Sequence, residues 1–256
     1  MVEGLLRRRI RCSALLIILS VSISGCIGHT SSQVEQTQEK LVFYQLEPMR
    51  EGEEIAVVST TEGDIYLRFF PSEAPKAVSN FITLAQEGFY DGKSVFSIQK
   101  VTDSEGNEKD AAFLAGAANE TGSRGKTIYR TGAFRSELSE NLWHFPGAVS
   151  AYGSGIGKVD SRFFIVGNQE IDEATASRMK KANFPDEVIK RFREQGGAPS
   201  YSRLYPVFAQ VYQGMDVVEK ILEAECDEKG VPVEEISIVS VTIGYYDPEE
   251  QGEGMP

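Results

Sequence analysis

Two stretches with helical period, "PSEAPKAVSNFITLAQEGFYDG" at 71–92 and "GMDVVEKILEA" at 214–224, stand far apart in a chain whose other apolar runs are short and strand-like. In the first, Pro75 suits an opening helical turn, Val78, Phe81, Ile82 and Ala85 follow the 3.6-residue spacing, and Gly88 ends it. The strand-like runs are "IAVVSTT", "IYLRFF", "SVFSIQKV", "AAFLAGA", "GAVSAYG", "RFFIVG", "YPVFAQV" and "ISIVSVTIGYY". The pattern suggests a strand-rich fold, a closed barrel capped at its ends. The first two runs read as a hairpin turning at Glu62, Gly63 and Asp64, with Ile65, Leu67 and Phe69 facing the core.

The ends carry different information. Arg7, Arg8, Arg9 and Arg11 precede the apolar run "ALLIILSVSI", which is short for a membrane span and reads as a secretory leader, residues 1–25. "ISGC", ending at Cys26, is similar to a bacterial lipobox, in which the cysteine receives lipid and becomes the new N-terminus. Residues 26–52 then read as a lipid-anchored flexible tether, 53–246 as one domain and 247–256 as a disordered tail. The expected location is the extracytoplasmic face of the cell membrane, reached through the lipid anchor alone. Removing the leader takes away four arginines and Glu3, so the net charge moves from −12 to about −15, which disfavours nucleic acid as a partner. Of three cysteines only Cys226 remains in the domain, and with His29 and His144 it forms no metal-ligand spacing, so neither a disulfide framework nor a metal is expected. Residues 170–197, charged and helix-favouring with a break near Pro185, predict an insert of two short helices with a solvated face.

Within "SRFFIV" at 161–166, an arginine interrupts an apolar run. Side chains of a strand alternate faces, so Arg162 shares its face with Phe164 and Val166, while Phe163 and Ile165 take the other. Either that face is wet, or the arginine has work there.

Three ordered blocks carry a resemblance. "EGDIYLRFFPSEAPKAVSNFITLAQEGFYDG" is similar to the opening hairpin and helix of the cyclophilins, the peptidyl-prolyl isomerases. "GAVSAYG…DSRFFIVGN" resembles their central "GxLSMAN…GSQFFI", and "YPVFAQVYQGMDVVEKI" resembles "HVVFGKVxxGMDVVDKI". The resemblance spans about residues 53–246 and implies a mainly β fold, a closed eight-stranded antiparallel barrel capped by two helices, with no cofactor, a monomer, and proline-containing polypeptides as partners. It implies cis-trans isomerisation, in which an amide with a barrier of about 18 to 20 kcal/mol is helped to twist and no bond is made or cut. By this resemblance Phe113, Leu114, Phe164, Tyr201 and Tyr205 line the proline slot.

The departures concern polar groups. The family arginine of "FHR" is matched to Ile98, which has no donor, the glutamine of "FMxQGG" to Gly116, and the asparagine of "MAN" to Gly153, beside a bulky Tyr152; a tryptophan position falls near Ser200. Arg162 stands at the glutamine of "SQFF" and is expected to supply the missing catalytic donor. Two readings follow: an isomerase of weakened activity that helps secreted proteins fold, or an inactive module that binds proline-containing peptides.

Overall fold

The computed structural model describes residues 41–102, 106 and 108–251. The leader, Cys26 and the last five residues lie outside the described residues. The elements in chain order are β1 (Glu54–Thr60), β2 (Gly63–Phe69), α1 (Pro75–Gln86), β3 (Lys93–Ser94), β4 (Ser97–Thr102), β5 (Glu108–Ala115), β6 (Phe134–Arg135), β7 (Ala148–Ala151), β8 (Lys158–Val159) and β9 (Phe163–Val166). There follow α2 (Glu173–Lys181), α3 (Asp186–Gln195), β10 (Val207–Gln213), α4 (Met215–Leu222), β11 (Ser237–Tyr245) and a short α5 (Pro248–Gln251).

Nine strands make one antiparallel sheet in the order β3-β11-β1-β2-β10-β7-β9-β5-β4, while β6 and β8 pair separately. The expected closed eight-stranded barrel is therefore corrected to a curled nine-stranded sheet whose ladder ends at β3 and β4. Those two ends follow one another in the chain, separated only by Val95 and Phe96, so the curl is completed by covalent connection rather than by a strand ladder. The β1–β2 hairpin forms, but it turns at Thr61 and Glu62, ahead of the expected Glu62–Gly63–Asp64, because Gly63 and Asp64 already pair in β2 with Thr60 and Ser59; Gly63 enters the strand at φ +139, a region that suits glycine alone.

Registers set two rows of side chains across β4, β5, β9 and β7. Ile98 pairs with Phe113, Phe113 with Ile165, and Ile165 with Val149; Ser97 pairs with Leu114, Leu114 with Phe164, and Phe164 with Ser150. The first row faces the interior of the curl, the second faces outward, because side chains of paired residues share a face. In the interior Phe81 of α1 is the hub, its ring 4.8 Å from Tyr90, 5.4 Å from Phe208, 5.6 Å from Phe163 and 5.8 Å from Phe69. α1 packs against β10 and β11, and α4 against β2 and β5.

The insert folds as two helices as expected, α2 capped by Asp172, whose carboxylate accepts from Thr175 N at 2.6 Å, and α3 opening after Pro185. Its inner faces are not a solvated charge run. Ala176, Met179, Val188, Ile189 and Phe192 form a core of their own with Trp143 and Phe145. Leu41, Phe43 and Leu46 pack on that core, so part of the segment expected to be a tether is docked on the domain. Polar contacts hold it: Arg68 donates to the carbonyls of Tyr44 and Glu47, and the Gln45 amide donates to Trp143 O and Gln210 Oε1. Among the described residues no helix is long and apolar enough to cross a membrane.

Candidate functional site

The outward row leads into a small aromatic slot. A cavity of about 80 Å³ is lined by Gln99, Ala112, Leu114, Tyr152, Phe164, Tyr201 and Tyr205. Phe164, 3 % exposed, forms its floor, with the rings of Tyr201 and Tyr205 standing edge-on to it at 5.2 and 5.3 Å. Tyr152 lies 5.8 Å from Tyr205 and closes one side without filling the cavity. Behind the floor, His144 stacks parallel to Phe164 at 5.7 Å, and its two ring nitrogens lie 2.8 Å from Ser150 Oγ and 3.2 Å from Ser202 Oγ. Burial pushes its pKa down to about 3, so at neutral pH the imidazole is an uncharged, hydrogen-bonded backing for the ring.

Of the five residues expected to line a proline slot, Leu114, Phe164, Tyr201 and Tyr205 line this cavity. Phe113 does not. It sits on the opposite face of β5, 3 % exposed within the interior core, because adjacent strand residues cannot share a face. The same alternation corrects Ile98, which is buried against Phe113; the β4 side chains on the outward face are Ser97 and Gln99. Gln99 donates from Nε2 to Ser97 Oγ at 2.9 Å and lines the slot. The polar edge that resemblance placed at Ile98 is thus one residue away on either side.

Arg162 is not a rim donor. Its side chain is 4 % exposed; Nε and Nη2 donate to the Asp160 carboxylate at 3.0 and 2.7 Å, and Nη1 donates to Gly122 O at 2.9 Å. The guanidinium carbon lies 5.3 Å from the centre of the Tyr152 ring. Tyr152 N also donates to Arg162 O, so the arginine supports the side of the slot from beneath. Gly153, at the family asparagine position, has no room for a side chain: a Cβ there would lie 2.1 Å from Lys158 O. Gly116 lies beyond β5 and is not among the slot residues, and Ser200 belongs to a neighbouring groove.

What remains polar at the slot is neutral. Burial, then the neighbouring Tyr205, pushes the Tyr201 phenol up to about 12; burial, then Tyr152, raises that of Tyr205. Both hydroxyls stay protonated through neutral pH and keep a donor, as does the Gln99 amide.

The cyclophilin type peptidyl-prolyl cis-trans isomerase family model matches residues 55–243. This chain belongs to that family. It is 31 % identical over 195 residues to the Staphylococcus aureus (strain USA300) protein named "Putative peptidyl-prolyl cis-trans isomerase", covering 76 % of this chain and 94 % of that one. A Staphylococcus saprophyticus protein of the same name is 30 % identical over 202 residues, covering 78 % and 98 %. A Cryptosporidium parvum cyclophilin type isomerase crystallised in the presence of the dipeptide Ala-Pro superposes with a TM-score of 0.55 at 20 % identity, over 74 % of this chain and 98 % of that one. At that identity the superposition speaks for the fold. The enzyme class of this chain is peptidyl-prolyl cis-trans isomerase.

Proposed function

We propose that the chain isomerises X-Pro bonds of extended polypeptides at the outward slot, with reduced efficiency, while tethered outside the cell through Cys26. The observation that carries this reading is the slot itself: an aromatic floor at Phe164, braced by His144 and walled by Tyr201 and Tyr205, with the Gln99 amide at its edge. A prolyl ring is apolar and flat enough to rest on Phe164. As the amide twists it loses resonance, and donors aimed at the changing charge lower the barrier. Here those donors are an amide and phenol hydroxyls, each weaker than a charged guanidinium, which is the reason for reduced efficiency.

Arg162 takes the positioning role, holding Tyr152. The basic leader and "ISGC" support the lipid anchor, and the acidic domain suits soluble polypeptide clients better than anionic surfaces.

A second reading, a peptide-binding module without turnover, draws on the same absence of a cationic side chain among the slot-lining residues. A protease-coupled assay on an Ala-Pro peptide separates the two. Turnover above the spontaneous rate supports the isomerase; binding of the same peptide without turnover supports the module. Cys26→Ser is expected to abolish lipid attachment and membrane fractionation, and unchanged fractionation would reject the anchor.

A further inference from the structure

The slot is small, but a much larger groove lies beside it. A cavity of about 570 Å³ opens between the β4–β5 hairpin, α2 and the 3-10 turn Pro199–Tyr201. The two share walls. On β4, Gln99 lines the slot and Val101, two residues on, lines the groove; in the turn, Tyr201 lines the slot while Pro199 and Ser200 line the groove. Val101 pairs with Lys109 of β5, which lines the groove as well.

The lining mixes large apolar groups with charged ones. Val101, Ile171, Met179 and Phe184 supply large apolar groups, and the Phe184 ring is held by Trp143 at 5.6 Å and by the Arg203 guanidinium at 4.6 Å. Lys109 and Arg178 are offset by Glu170 and Asp172, and the Asp172 carboxylate already caps α2. Balanced charge gives no reason to select an ion. A volume within the usual range for small-ligand sites, with a polarisable methionine and a fixed aromatic ring, suits a bulky apolar side chain.

We propose that this groove is a second subsite of the same peptide, one that takes a large hydrophobic residue about two positions from the proline. This rests on the outward slot being where the proline binds. Gln99 and Val101 stand two residues apart across a register shift in the β4–β5 ladder, at most about 7 Å of chain, which is also the reach of two residues of an extended peptide from the proline. The wall of the groove is the insert, so the insert acts as a specificity element, recognising what flanks the proline and not the proline itself.

The test uses four peptides with a central Ala-Pro, carrying Phe or Ala two positions before or two positions after the proline. Dissociation constants come from fluorescence titration and cis-trans exchange from NMR, on the wild type and on Ala182→Trp, a change at an exposed groove residue that would fill it. On one flank the Phe peptide is expected to bind about ten-fold more tightly than its Ala counterpart, as a hydrophobic pocket discriminates. The advantage should appear in KM and leave kcat alone, since binding remote from the twisting bond is the same in both states. Ala182→Trp should erase it; Lys190→Ala, on α3 and not a groove residue, should keep it, and circular dichroism confirms that each variant folds. Equal binding of Phe and Ala peptides on both flanks, or a preference that survives Ala182→Trp, would overturn the subsite. If the preference is present and sensitive to Ala182→Trp but no peptide is turned over, the subsite stands and the isomerase reading fails.

Discussion

The two rows of side chains on β4, β5, β9 and β7 come from the same strands and differ in what they do. The inward row, Ile98, Phe113, Ile165 and Val149, is apolar throughout and buried to 3 % or less. The outward row, Ser97, Leu114, Phe164 and Ser150, is apolar in the middle and polar at both ends, and it leads into a cavity. One face is filled and stabilises the fold. The other leaves a space, backed by a neutral histidine and edged by donors. A curled antiparallel sheet allows this division because a single strand presents both faces, and a change of one position moves a residue from core to site.

The inward side should show the largest effects when disturbed. Phe81→Ala removes the hub between α1 and the sheet and should cost about 3 to 5 kcal/mol, measured by urea denaturation; a cost under about 1 kcal/mol would mean that the interior is not the principal store of stability. Next comes Arg162→Gln, which leaves the buried Asp160 carboxylate without its partner. A loss of roughly 3 kcal/mol is expected in the same measurement. Activity falling with stability unchanged would instead restore Arg162 to a catalytic role.

His144 gives a smaller effect near neutral pH, one that grows as pH falls. It is neutral when folded, with a pKa of about 3, whereas in the unfolded chain it takes a proton near 6.5. The unfolded state therefore binds more protons between those values, and stability is lost as pH falls through that window, by up to roughly 1.4 kcal/mol per pH unit from this residue. His144→Asn should show a shallower dependence between pH 6 and 4; an identical slope would contradict a buried neutral imidazole. Smallest in stability is Gln99→Ala, within about 0.5 kcal/mol for a change at an exposed strand position. Its effect should fall on rate, about ten-fold in kcat/KM in the protease-coupled assay.

Strand alternation made much of this legible. The placement of Phe164 opposite Phe163 and Ile165 follows from "SRFFIV" alone, and the helix at Phe81 from its spacing. Where expectation went astray, it let resemblance override period. Phe113 and Leu114 are neighbours in one strand and cannot both enter the slot, and Ile98 between Ser97 and Gln99 carries the same warning in its polarity pattern. Other features had no local signal. Asp160 reaches Arg162 only because the chain bends just before β9, and the docking of residues 41–52 depends on Arg68 and Gln210, far away in sequence. The inner faces of α2 and α3 were hidden by their charged residues, since each buries only two or three side chains.

In the proposed function the outward row, not the inward one, meets the prolyl bond. The most direct test is a titration of isotope-labelled protein with an Ala-Pro peptide, reading protein shifts and peptide cis-trans exchange in the same sample. The account predicts shifts at Gln99, Leu114, Tyr152, Phe164, Tyr201 and Tyr205, together with exchange faster than in free peptide. Accelerated exchange with these six residues unmoved, and shifts gathered elsewhere on the surface, would contradict it.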